Sequence, residues 1–413
     1  MTEQANTPVL RFKSFNDEWS LSTIGALGDF YYGKSAPKWS ITEDVGIPCI
    51  RYGELYTKFN NVVNEIYSYT SIPKEKLRFS KGGEILIPRV GEDPLDFAKC
   101  VYLPQKDIAI GEMISVYNTK ENPLFLTYYF NTKMKYEFAK RVEGASVSNL
   151  YYSYLEDIKL KIPDIREQEK LGKFFSKLDQ QIELEEKKLE LLEQQKKGYM
   201  QKIFSQEMRF KDENGNEYPE WQLKNLSELG ETFTGLSGKT KDDFGYGDGL
   251  FITYMNVFKN TIAKSDMVER VKIGSSENQN RVQYGDILFT TSSEVPNEVG
   301  MSSIWLFNQD NVYLNSFCFG FRVVVNYIKP VYLARYLRSE EMRKTITILA
   351  QGSTRFNISK KEMMKLNIKV PYIEEQIKID NFFNKIDTLI LKQGKKIELL
   401  KHRKKGLLQK MFV

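Results

Sequence analysis

Two stretches of the chain carry the same alternation of apolar and polar positions. From Pro163, the residues Leu171, Phe175, Leu178, Ile182, Leu189, Leu192, Tyr199 and Ile203 step by alternating fours and threes, and no proline follows the first residue. A stripe of that period is the seam of a coiled coil. From Pro371 the pattern returns as Ile379, Phe383, Ile386, Ile390, Ile397, Leu400, Leu407 and Met411. Both seams break at matched places, Glu185 with Gln393 and Lys196 with Lys404. Polar breaks at seam positions either set the register or mark where the seam turns outward. A helix of about 40 residues is about 60 Å long and needs a partner for its stripe. An antiparallel pairing of the two is expected, because a parallel one would force the intervening segment to span their whole length.

The helices belong to a larger duplication. The run beginning at Pro163 aligns without a gap on that beginning at Pro371, with about half the positions identical, including Glu167-Gln168 with Glu375-Gln376, Phe174-Phe175 with Phe382-Phe383, and Asp179 with Asp387. Fainter matches precede them: Leu27-Gly28 with Leu229-Gly230, Gly33 with Gly235, and the run at Gly83 with that at Gly285. The segments before each helix carry short apolar or β-branched runs (EILIP, DIKLKIP, DILFTT, MKLNIKVP) bounded by Gly, Pro, Asn and Ser, and read as mixed α/β heads. The expected fold is therefore α+β: two α/β domains joined by two long antiparallel coiled-coil helices in a pseudo-twofold repeat. The expected boundaries are 1–162, 163–206, 207–370 and 371–413.

Composition narrows the classes. The 413 residues are 41% hydrophobic, 13% aromatic and 28% charged, as in an ordinary folded protein. The first residues lack a signal-peptide pattern and no apolar run approaches a membrane span, so a cytoplasmic location is expected. Cys49, Cys100 and Cys318 lack metal-ligand spacing, and the single histidine, His402, has no partner ligand nearby, so no metal site is expected. The net charge of +6 permits a nucleic-acid partner. About +5 of it lies on the second helix, whose Lys395-Lys396 and Lys401 to Lys405 face DNA phosphates, an acidic partner or water.

Each helix opens on Pro-x-Ile-x-Glu-Gln, at Pro163 and again at Pro371. Two such entries in one frame, each after a recognition-sized domain and each opening a long helix, make the chain resemble the DNA-specificity subunits of type I restriction-modification enzymes over nearly its whole length. The resemblance implies two target-recognition domains reading a bipartite, gapped duplex target, one half-site each. It also implies docking of two adenine-methyltransferase subunits and of motor-nuclease subunits. S-adenosylmethionine and ATP/Mg would then belong to those partners, with no cofactor in this chain. Two alternatives remain: the recognition subunit of a restriction enzyme that combines methylase and nuclease in one polypeptide, and a coiled-coil protein scaffold.

Chemistry of the chain's own is not expected. FGYGDG at Phe244 follows a polar segment instead of a buried strand, and Asn122-Pro123-Leu124-Phe125 lacks the second proline of the amino-methyltransferase motif. Base reading needs Arg, Lys, Asn, Gln, Ser or Thr on loops, with phosphate contacts fixing position. Loops recurring in both copies supply Lys34, Arg51, Tyr52, Arg89, Ser146, Ser148 and Asn149 in the first domain. In the second they supply Lys239, Thr253, Tyr254, Asn256, Thr290, Thr291, Ser292, Ser353, Thr354, Arg355 and Asn357. For each, a turn or surface role competes with base contact; Arg51, Arg89 and Arg355 stand out for their bidentate donors. Tyr151, Tyr152 and Tyr154 stack on a splayed base or pack the core.

Overall fold

A computed structural model describes residues 7–34, 36–144, 148–352 and 354–413. The two seams are the helices Ile165–Phe204 and Ile373–Met411. The chain divides into two compact units, Met1–Lys187 with Gly394–Val413, and Lys188–Gln393. Each unit thus contains one head and a part of both long helices.

The run EILIP shows how the first head is built. As strand Glu84–Pro88 it is buried at every position, inside an antiparallel sheet ordered Gly28–Tyr32, Ile114–Thr119, Glu84–Pro88, Val101–Leu103. Successive side chains of a strand point to opposite faces. Ile85 and Ile87 accordingly join Trp19, Phe125 and Phe175, whereas Leu86 joins Ile50, Val63 and Ile110. The first cluster belongs to the helix Pro123–Lys133 and the long helices, the second to a five-stranded sheet in which Ile47–Ile50 and Lys106–Ile110 run parallel. A sheet covered on both faces requires apolar residues in both phases of the alternation.

The second head repeats this order with Gly230–Thr234, Cys318–Val323, Ile287–Thr290 and Ser302–Ile304. Ile287 and Phe289 meet Tyr332 and Phe383, while Leu288 meets Ile252, Trp305 and Leu314. Its second sheet has three strands, and Phe244–Ile252 runs parallel to Val312–Leu314 within it. The recurring glycines mark close backbone contacts. A Cβ on Gly28 or Gly230 would lie 2.1 Å from a carbonyl oxygen of the neighbouring strand, and one on Gly33 or Gly235 would be as near to the carbonyl of Gly111 or Asn315.

The Glu-Gln pair of each helix entry fastens head to helix. Glu167, buried, accepts two hydrogen bonds from the Arg11 guanidinium at 2.8 and 2.6 Å. Glu375, also buried, accepts from Arg209 at 3.2 and 2.8 Å and from the Trp221 indole at 2.9 Å. Gln168 donates to the Pro163 carbonyl and accepts from the Asn122 amide, just before the helix Pro123–Lys133. Gln376 does the same with Pro371 and Lys329, before the helix Pro330–Tyr336.

The long helices run antiparallel within each unit. In the first, Lys404 pairs with Asp179, Lys401 with Glu186 and Lys396 with Glu185. In the second, Lys196 pairs with Asp387 at 2.7 Å, the duplicate of the Asp179–Lys404 bridge. Seam residues Phe175, Ile182, Phe383 and Ile397 are buried, and Leu178, Leu189, Leu192, Ile386, Ile390 and Leu400 are half-buried. Each helix ends on an aromatic plug: Phe412 packs on Trp19, Phe125, Tyr129 and Phe175, and Phe204 on Tyr332, Tyr336 and Phe383. No helix among the described residues is long and apolar enough to cross a membrane.

Candidate nucleic-acid interface

In each head a two-residue ladder joins the segment after the strand Glu84–Pro88 or Ile287–Thr290 to a segment shortly before the long helix. In the first, Ser148–Asn149 pairs with Val90–Gly91; in the second, Ser292–Ser293 pairs with Phe356–Asn357. Segments far apart in sequence are thereby brought to one place, and most of the candidate readers gather there. Ser146 and Ser353 lie outside the described residues.

In the first head Arg89 sits directly before the ladder. Its guanidinium carbon lies 4.6 Å over the Tyr32 ring and 5.2 Å over that of Tyr151. Ser148 is buried, and Asn149 exchanges two backbone hydrogen bonds with Glu143. Tyr56 donates its hydroxyl to the Val90 carbonyl at 2.9 Å, which ties the helix Tyr52–Thr57 to the ladder. Arg51 and exposed Tyr52 open that helix, where Glu54 accepts from the Arg51 amide and the Ser68 hydroxyl. Lys34 is exposed, its amide bound to the Ile110 carbonyl.

In the second head Tyr254 reaches the Ser292 carbonyl at 2.6 Å, the counterpart of the Tyr56 bond made from an earlier position in the helix. Arg355, exposed, lies 5.9 Å over the exposed ring of Phe317, with exposed Thr354 and Asn357 beside it in sequence. Thr291 donates to the Phe317 carbonyl at 2.8 Å, and buried Thr290 accepts from the Met301 amide. Thr253 caps the helix Tyr254–Lys259. Fully buried Asn256 donates to the Lys264 and Met267 carbonyls and accepts from the Lys264 amide, so its amide holds a loop together. Lys239 is likewise taken up, its ammonium bound to Glu277 and the Lys272 carbonyl with a side chain 3% exposed. Glu277 in turn is held well below the usual carboxylate range, at about 2, chiefly by that Lys239 bond.

The two motifs set aside in the sequence have structural roles. FGYGDG is the bulged start of strand Phe244–Ile252, with Gly245 and Gly247 at φ of 91° and 95°. Asn122 caps the helix Pro123–Lys133, its side chain accepting from the Phe125 amide at 2.8 Å. The three cysteines are buried free thiols, and burial pushes each thiol up, Cys49 to about 11.

A family model described as the type I restriction modification DNA specificity domain matches residues 16–194 and again residues 218–401. The chain belongs to that family. Two relatives from Methanocaldococcus jannaschii are similar along much of this specificity-family chain. The type I restriction enzyme MjaVIII specificity subunit is 23% identical over 331 residues, 74% of this chain and 73% of its own length. The putative type I restriction enzyme MjaX specificity subunit is 25% identical over 300 residues, 68% of this chain and 65% of its own length. Among solved structures, the type I restriction-modification S subunit from M. genitalium shares the fold at a TM-score of 0.57 and 16% identity, over 98% of this chain and 99% of that one. A chain from a study of complex assembly and conformational transition of the type I restriction-modification system gives 0.56 and 16%, over 95% and 97%.

Some residues that shape these specificity domains gave no sequence signal. Arg338 and Arg343 are half-buried and pair with no carboxylate among the described residues, and desolvation lowers both to about 10. Arg338 donates to the carbonyls of Ser302, Val257, Phe258 and Asn260, and Arg343 to those of Asn297, Val299 and Gly300. Backbone acceptors belong to every residue type, so nothing in the sequence marks them. The tyrosines flanking Arg89 were visible only as aromatic runs, FYY at Phe30 and YYSY at Tyr151.

Proposed function

We propose that this chain is the non-catalytic reading subunit of a cytoplasmic type I restriction-modification complex. It recognises a bipartite, gapped site in double-stranded DNA, one half-site through each head. It docks two adenine-methyltransferase subunits and the motor-nuclease subunits, which bring S-adenosylmethionine and ATP/Mg. The observation that carries this reading is duplication with unequal divergence. The arginine bonds of Glu167 and Glu375 and the proline and amide bonds of Gln168 and Gln376 recur through the same side-chain atoms, while the side chains around the two ladders differ. Two readers on a common frame need that combination, since phosphate contacts and partner docking can be shared but base contacts cannot.

The test is a map of modified adenines in DNA from a host expressing the chain with its neighbouring methyltransferase. Two specified blocks separated by unspecified bases are expected. Replacing residues 1–160 by another family member's first domain should then change one block and leave the other. A map with a single continuous site, or none, would overturn the reading.

A further inference from the structure

Arg89 differs from six other arginines that are buried or half-buried in the two heads and their junctions. Arg11, Arg209, Arg322 and Arg335 donate to carboxylates or an amide oxygen, and Arg338 and Arg343 to carbonyls. Among the described residues the Arg89 side chain makes no hydrogen bond or ion pair at all; its Nε is buried without a partner, as is that of Arg335, but the other nitrogens of Arg335 are bonded. Yet the position of Arg89 is fixed. Its amide donates to the Met113 carbonyl, its carbonyl accepts from the Leu150 amide, and the Tyr32 and Tyr151 rings stand over its guanidinium at 4.6 and 5.2 Å.

Those rings are themselves part of a stack rooted in the core. Tyr32 lies 4.5 Å from Tyr152, Tyr152 is parallel to Phe30 at 5.3 Å, and Phe30 is 4.5 Å from fully buried Tyr117. At the outer end Tyr151 meets Tyr154 edge-on at 5.8 Å, and Tyr154 is exposed. A structural arginine would have its donors satisfied, because unpaired buried donors cost free energy. An arginine held by aromatic rings with unused donors has instead lost its rotamer freedom before any ligand arrives, which is preorganisation for an acceptor pair.

We infer that Arg89 is a specificity-determining residue of the first domain and reads the O6/N7 edge of a guanine in the half-site that domain recognises. Walled by the tyrosines, the guanidinium offers its planar edge, which matches the two in-plane acceptors of guanine in the major groove. The matching position of the second head is Thr291, whose hydroxyl is committed to the Phe317 carbonyl, so this guanine requirement belongs to the first half-site alone. The inference rests on the proposed function.

The experiment maps modified adenines for the full complex carrying wild-type chain, Arg89→Ala or Arg89→Lys. The first half-site is identified as the one that changes on exchange of residues 1–160. Both variants should lose discrimination at one guanine position of that half-site, by about tenfold to a hundredfold, with every other position kept. Arg89→Lys retains the charge beside the rings but not the fork, so it decides the matter if Arg89→Ala fails to fold. A first half-site lacking guanine, variants that keep every base preference, or a uniform loss of methylation at all sites would overturn the inference, the last by marking a phosphate contact. A wild-type map without two separated blocks would overturn the underlying reading instead.

Discussion

The two units share a skeleton but balance its charges differently. In the first, the buried junction carboxylate Glu167 holds Arg11, and the Trp19 indole nitrogen is buried without a partner among the described residues. In the second, Glu375 holds both Arg209 and Trp221. Asp179 is satisfied by the neutral groups of Tyr128 and Asn61 along with Lys404, whereas Asp387 faces two cations, Arg335 at 2.8 Å and Lys196. The second unit also carries Asp380 where the first has Gly172, against which a Cβ would already lie 3.0 Å from the Asn122 side chain. Duplicated frames can thus keep a bond pattern while its electrostatic support drifts, provided each buried charge retains some partner.

The largest effect is expected at the junction. Glu375→Ala strands Arg209 and Trp221 together and should destabilise the second unit by about 3–5 kcal/mol. Glu167→Ala strands Arg11 alone and should cost its own unit less. Hydrogen exchange resolved by peptide would check the order; equal losses would break the contrast.

Next comes the duplicated bridge. Asp179→Lys and Lys404→Asp should each destabilise, and the double swap should recover about 1–3 kcal/mol of the loss, because the other partners of Asp179 are neutral. The swap of Asp387 with Lys196 should not recover, since a lysine at 387 meets Arg335. Denaturant midpoints of the four variants and their doubles measure both cycles.

A loss of stability as the pH rises from about 4 to about 7 should belong to the second unit. Burial pushes the Asp380 carboxyl up from the ordinary 3.8 to about 7, outweighing the Arg335 charge nearby. The folded state therefore holds a proton that the unfolded chain releases between those values. The stability that this group contributes is complete below about pH 4 and is lost as the pH rises to about 7. Asp380→Asn should flatten that part of the profile, measured as thermal midpoint against pH, and leave the first unit unaffected.

The smallest contrast concerns the tryptophans. Trp221→Phe removes a hydrogen bond to Glu375 and should cost about 1 kcal/mol beyond any packing change. Trp19→Phe removes an indole nitrogen that has no partner among the described residues and should cost less, because it also relieves an unpaired buried donor. A calorimetric comparison of the two would reveal any shared cost.

The frame was legible because its signals are local in sequence. Phe175, Ile182, Phe383 and Ile397 declare a seam by spacing alone, and the short apolar run EILIP reads as a strand, which the fold then covers on both faces. The seam breaks were less clear. Lys196 and Lys404 proved to be ion-pair partners of the equally duplicated Asp387 and Asp179, a pairing that only the antiparallel register shows. The interface was least legible. Lys239 and Asn256 have the side chains of readers, yet their donors are consumed by Glu277, Lys272, Lys264 and Met267. Arg89 stands out only when Tyr32 and Tyr151, remote in sequence, close on it.

The discontinuity of the first unit bears on how the protein is made. Its core receives Phe412, and the Leu10 amide donates to the Lys410 carbonyl, so residues at opposite ends of the chain complete one body. The second unit is a single continuous stretch, Lys188–Gln393, that a ribosome takes about 10–40 s to synthesise at ~5–20 residues per second. Domains usually mature in the order of translation; here the later one is complete first. Through that interval the nascent first unit presents Trp19, Phe125, Tyr129 and Phe175 without their plug. Newborn chains halted before residue 394 should be the ones that recruit holdase chaperones.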